Sequence, residues 1–78
     1  MTESLTHRVA AEVRAEMARQ RVSQRKVGEV LGKSQPQISA RLRGEIPFDT
    51  AELEQLAQTW GVPVSRFFAT ADAPVSAS

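Results

Sequence analysis

SQRKVGEVLGKSQPQISARLRG, residues 23–44, reads as two short helices joined at a glycine. Ser23 offers a hydroxyl to an orphan backbone donor, and Val27, Val30 and Leu31 follow on one face, which predicts a helix over about Gln24 to Leu31. Gly32 stands just past the last apolar residue, where a left-handed backbone is needed and glycine adopts it without strain. Ser34 and Gln37 then have the spacing of a capping box, with Pro36 in the first turn, where its missing N–H does no harm. A second helix is expected from about Gln35, with Ile38 and Leu42 inward and Gly44 as its stop. The residue before a proline resists the helical region, so Gln35 is the other candidate for the cap. Gly28 inside the first helix costs about 1 kcal/mol relative to alanine. The expected reason is close approach of another helix, which a side chain would block.

Upstream, Leu5, Val9, Val13 and Met17 recur every four residues, predicting an amphipathic helix from about Ser4 to Gln20, with Ser4 or Thr6 as cap. No glycine marks its end, and Val22 can pin the chain against the next helix. Downstream, Asp49 and Glu52 form a second capping box with Phe48 placed to staple onto Leu53. A helix with Leu53, Leu56, Ala57 and Trp60 inward should follow, stopped by Gly61. Pro63 then opens an expected fifth helix carrying Val64, Phe67 and Phe68. Met17, Trp60, Phe67 and Phe68 read as core, and His7 as a solvent-side residue without a catalytic task. Residues 1–69 therefore form one domain, and residues 70–78, small and without apolar period, form an expected disordered tail.

A chain of 78 residues buries only about 60% of its unfolded surface, which leaves room for one compact core. The absence of cysteine and the single histidine rule out a disulfide framework and a zinc finger, and no cofactor or metal is expected. No nucleophile and base, phosphate loop or metal cluster is recognisable, so the chain does not read as an enzyme. No apolar run is long enough for a signal peptide or a membrane span, and a cytoplasmic, nucleoid-associated location is expected.

The net charge of +1 conceals an asymmetry. Residues 19–43 hold seven basic side chains against Glu29, a net +6, whereas residues 44–78 hold Arg66 against five acidic ones, a net −4. A basic block beside an acidic one suits a face aimed at a polyanion; the other reading is a solvated surface that aids solubility. Two helices joined by a short glycine turn leave the second standing proud, able to enter the major groove of double-stranded DNA. Glutamine can pair bidentately with adenine, so Gln35 and Gln37 are the base-reading candidates, with Pro36 against a thymine methyl. Gln37 has a structural alternative in the capping box. Ser39 and Arg41 lie further along the same surface and could reach a base edge or a phosphate. Gln24, at the positive start of the first helix, is placed to hold a phosphate. Arg25, Lys33, Ser34 and Arg43 complete the backbone clamp.

On Ser23-Gln24, Gly28, Gly32 and Ile38-Ser39, the chain resembles the Xre/Cro family of phage and bacterial repressors. The likeness runs from about Val9 to Phe68 and includes AELEQLAQTWGVP at residues 51–63. It implies an all-α, compact five-helix bundle with a helix-turn-helix of the lambda-repressor-like kind, operator binding and repression. The family often has an aliphatic residue where this chain has Arg41 and a glutamate where it has Leu42. That glutamate commonly pairs with an arginine at the position of Met17. Both members of an ion pair are thus replaced by apolar groups, an exchange that removes two desolvation penalties and turns Arg41 outward. Family members bind paired half-sites as two-fold dimers. Here a weak homodimer, or one formed only on DNA, would have to use the fourth and fifth helices through Val64, Phe67 or Phe68. The alternative class is a protein-interaction module, an antitoxin or adaptor on the same fold.

Overall fold

Four side chains start four α-helices. The computed structural model describes residues 4–68, so the expected tail at 70–78 lies outside the described residues. Helix α1 spans Leu5–Gln20, α2 Gln24–Leu31, α3 Gln35–Leu42 and α4 Thr50–Trp60. Ser4, Ser23, Ser34 and Asp49 are their N-caps, each accepting a hydrogen bond from the backbone amide three residues on. Such a cap contributes about 1 kcal/mol. In α3 and α4 the box is closed reciprocally by Gln37 and Glu52, which settles the cap of α3 on Ser34 rather than Gln35. The end of α1 is a Schellman turn, with Arg21 N–H on the Ala18 carbonyl and Val22 N–H on that of Met17. Arg21 takes φ 59° there without being glycine, and Val22 packs against the core just beyond it.

Val9, Val13 and Met17 of α1 meet Val27 of α2, Ile38 and Leu42 of α3, Leu53, Leu56 and Ala57 of α4, and Phe67. Val13, Val27, Ile38, Leu56 and Phe67 are completely enclosed, and each contributes roughly 1.5–3 kcal/mol through burial. Helix α1 lies against α3 and the C-terminal segment, while α2 packs on both α3 and α4. Met17 and Leu42 join this core as the apolar pair the sequence predicts. Arg14 of α1 also donates through Nη1 to the Leu42 carbonyl.

Several expectations are corrected. The fifth helix is a 3-10 segment, Val64–Phe68. It starts with an i to i+3 bond from Arg66 N–H to the Pro63 carbonyl, 2.9 Å. Five residues suffice for that tighter helix. Successive residues stand about 120° apart on it, so Phe67 and Phe68 cannot both point inward: Phe67 is buried and Phe68 is 43% exposed. Phe67 is thereby unavailable to a dimer partner. Its ring meets Trp60 edge-on at 6.2 Å. Leu5 is 53% exposed as well, because a four-residue period drifts about 40° around the helix at each step and its first member leaves the core face. Gly28 is tightest against the turn, with α3 beyond it in ordinary contact. A Cβ there would stand 2.8 Å from the Lys33 carbonyl oxygen and 3.6 Å from Ile38 Cγ1.

Glu16 is the most buried charged residue among the described residues, at 1% exposure. Its Oε2 accepts from Gln20 Nε2 at 2.8 Å, and its Oε1 from Arg19 Nη1 at 2.7 Å and Arg66 Nη1 at 3.2 Å. The Gln20 hydrogen bond lowers its pKa below the ordinary 4.5 against the opposing effect of burial, helped by Arg19 and Arg66. A carboxylate whose native pKa is depressed stabilises the fold fully above its unfolded value and loses that contribution as pH falls through the native one. Both arginines are about half exposed, so the network is discounted to about 1–2 kcal/mol. Glu16→Gln should lower stability at neutral pH by that amount. It should also flatten the fall in stability below the ordinary carboxylate value of 4.5, as read by urea unfolding across an acid series.

Candidate nucleic-acid interface

The α2 N-terminus, the Gly32 turn and the start of α3 enclose a shallow groove of about 440 Å³ lined by Gln24, Arg25, Gly28, Glu29, Gly32, Lys33, Ser34 and Gln35. It brings together Gln24, Arg25, Lys33 and Ser34 of the phosphate candidates with Gln35 of the base candidates. Gly32 at φ 68° makes the turn, with Lys33 N–H returning to the Gly28 carbonyl at 3.0 Å. Ser23 Oγ accepts from Lys26 N at 3.1 Å. Helix geometry leaves the Gln24 and Arg25 amides without an intrahelical acceptor, so two donors and the positive end of α2 open toward the groove. Arg25 is exposed beside them.

The side chains of α3 divide sharply by their partners. Gln35 is exposed, and its amide bonds to no described residue; Pro36 beside it is exposed too. Gln37 is held in the box: its Oε1 accepts from Ser34 N at 2.8 Å and from Ser34 Oγ at 3.1 Å. Both lone pairs of that oxygen are taken, so Gln37 retains only its Nε2 donors and cannot offer adenine the donor and acceptor pair. Ser39 is half-buried and accepts from Arg43 Nη1 at 2.6 Å.

Arg41 does not turn outward. Its side chain is 13% exposed; Nε donates to Glu52 Oε1 at 3.2 Å and Nη1 to the Gln37 carbonyl at 3.1 Å. The guanidinium is thus claimed by a carboxylate on α4, which removes it from the base candidates as the helix stands. Lys33 is drawn the same way, its Nζ 3.6 Å from Glu52 Oε2. Arg43 is exposed, but Glu45 takes its Nε at 2.8 Å and its Nη2 at 3.0 Å. That hydrogen-bonded pair raises the Arg43 pKa and lowers that of Glu45.

Glu52 and Glu45 are the residues that reading the sequence misses. Glu52 is legible as the capping-box partner, and it does accept from Asp49 N at 3.1 Å. Its pairing with Arg41, eleven residues away, has no local signal. Glu45 follows Arg43 by two residues, a spacing that carries meaning only once the backbone turns at Gly44, φ 81°. Arg21 is also exposed, at the entrance to α2.

A helix-turn-helix with an exposed second helix, set beside a groove of basic and amide groups with one carboxylate, Glu29, defines the class of small helical domains that DNA-binding regulators use. Residues 3–77 match the BetR domain, and the chain belongs to that family, helix-turn-helix-like domains of bacterial regulators. No curated protein and no solved structure matches the chain. No helix among the described residues is long and apolar enough to cross a membrane.

Replacing Glu52 by glutamine keeps a side chain able to close the capping box but leaves the Arg41 guanidinium nearly enclosed without a counter-charge. Glu52→Gln should cost about 2–3 kcal/mol in urea unfolding, whereas the exposed Glu54→Gln should stay within about 0.5 kcal/mol of the parent chain.

Proposed function

We propose that this chain is a sequence-specific DNA-binding transcriptional regulator, acting by binding rather than by catalysis. It places α3 in the major groove of an operator and represses, in the manner of the Xre/Cro repressors it resembles. One observation carries the reading: Gln35, its amide unclaimed, stands at the leading end of an exposed helix. Directly beside it are Arg25 and the open amides of α2. A bidentate amide reads adenine in the major groove, and the adjacent helix terminus and arginine take a phosphate of the same strand or its neighbour.

The division of partners along α3 narrows the readout. Gln35 and Pro36 carry base recognition. Gln37 contributes donors alone, and Ser39 enters only when Arg43 releases it. Arg25, Gln24 and Ser34 form the phosphate clamp, with Lys33 joining as its long contact to Glu52 yields. Two copies on half-sites about 34 Å apart would supply the remaining specificity. Val64 and Phe68, 38% and 43% exposed, support a weak pairing of that kind.

Sites selected from random duplexes should contain an adenine that depends on Gln35. Gln35→Ala should cost about 1–3 kcal/mol at that base and relax preference there alone. Arg25→Ala should weaken binding to all sequences alike and reduce the slope of log K against log salt by about 1. Selected sites whose preference survives Gln35→Ala would place another residue at the base edge. A duplex affinity independent of salt would favour a protein partner instead.

A further inference from the structure

Arg43 and Glu45 flank Gly44, where α3 gives way to the loop before α4. Arg43 presents its Nε and Nη2 edge to the two carboxylate oxygens at 2.8 and 3.0 Å, while Nη1 holds Ser39 Oγ at 2.6 Å. Glu45 is fixed in this place by its own backbone, since its N–H returns to the Ala40 carbonyl at 3.0 Å. Two coplanar carboxylate oxygens offer a guanidinium the same bidentate pairing as the two free oxygens of a phosphodiester. Glu45 therefore sits on the edge of Arg43 that a DNA backbone would use.

We infer that Glu45 is a built-in competitor for the DNA backbone, an internal stand-in for phosphate that masks Arg43 in the free protein and lowers affinity for every duplex. The inference rests on the DNA-binding reading. Arg43 and Glu45 side chains are 56% and 58% exposed, and an exposed pair of this kind opposes phosphate by at most about five-fold in affinity. Repulsion between the carboxylate and the neighbouring backbone adds to this and is screened by salt. Phosphate carries no sequence information, so the weakening falls equally on operator and random DNA and shortens the time spent on either.

The test is a double-mutant cycle in the full chain, Glu45→Gln and Arg43→Ala singly and together, measured as anisotropy of a labelled random-sequence duplex at low and moderate salt. Glu45→Gln should tighten binding about three- to ten-fold at low salt, with a smaller gain as salt rises. In the Arg43→Ala background the same change should gain less than about two-fold, since the competitor then has nothing to mask. Thermal unfolding of each variant checks that the fold is retained. Weaker binding by Glu45→Gln would make Glu45 a support that orients Arg43, and an equal gain in both backgrounds would reduce the effect to bulk charge; either overturns the masking. If the parent chain itself shows no salt-dependent duplex binding, the DNA reading fails and the masking falls with it. If the parent binds and Glu45→Gln does not tighten it, the masking alone fails.

Discussion

The carboxylate of Glu52 joins three elements that otherwise touch mainly through apolar side chains. One oxygen closes the start of α4 and receives Arg41 from α3; the other faces Lys33 in the turn after α2. A charge with only 9% of its side chain exposed is tolerated because it has these partners. Removing water from around it makes each partner's position matter more than it would at the surface. The angle at which α3 is presented is thereby fixed from behind by ions, while Ile38 and Leu42 fix it from below by packing. Gln55 adds a second tie from α4, donating to the Val30 carbonyl at 2.8 Å at the end of α2.

The same carboxylate redistributes the charge that the linear sequence suggests. Residues 19–43 carry a net +6 on paper, but Glu52 and Glu45 reach into that block from the acidic side and claim Lys33, Arg41 and Arg43. Lys26 has Glu29 within 3.7 Å. The basic side chains of this block left without a described carboxylate partner are Arg21 and Arg25, at the opening of α2. Electrostatic attraction for a polyanion is accordingly focused at one end of the motif, next to Gln35, rather than spread along α3.

Much of this architecture was legible because its signals are local. A cap needs a side chain three residues from an amide; Ser23 and Asp49 were readable outright, whereas Ser4 had Thr6 and Ser34 had Gln35 as rivals that the observed hydrogen bonds exclude. The burial of Met17 and Leu42 was legible too, since apolar residues in register with the core face join the core. What sequence could not supply was the destination of a released charge. Arg41 was expected outward because its familiar neighbour was gone; Glu52 lay on another helix, within reach only after α4 folds back. Gln37 carried two readings in the sequence, and the distances to Ser34 decide for the structural one without removing its donors. The fifth helix failed for a different reason: caps and apolar residues do not distinguish an α-turn from a 3-10 turn over five residues.

Leu5 and Phe68, at opposite ends of the described chain, line one apolar groove with Thr6, Val9, Pro47, Phe48, Thr50 and Leu53, none of which belongs to α2 or α3. Helix α1 and the 3-10 segment thus meet along one groove, away from α2 and α3. A contact made through this groove would therefore leave the residues of α2 and α3 uncovered.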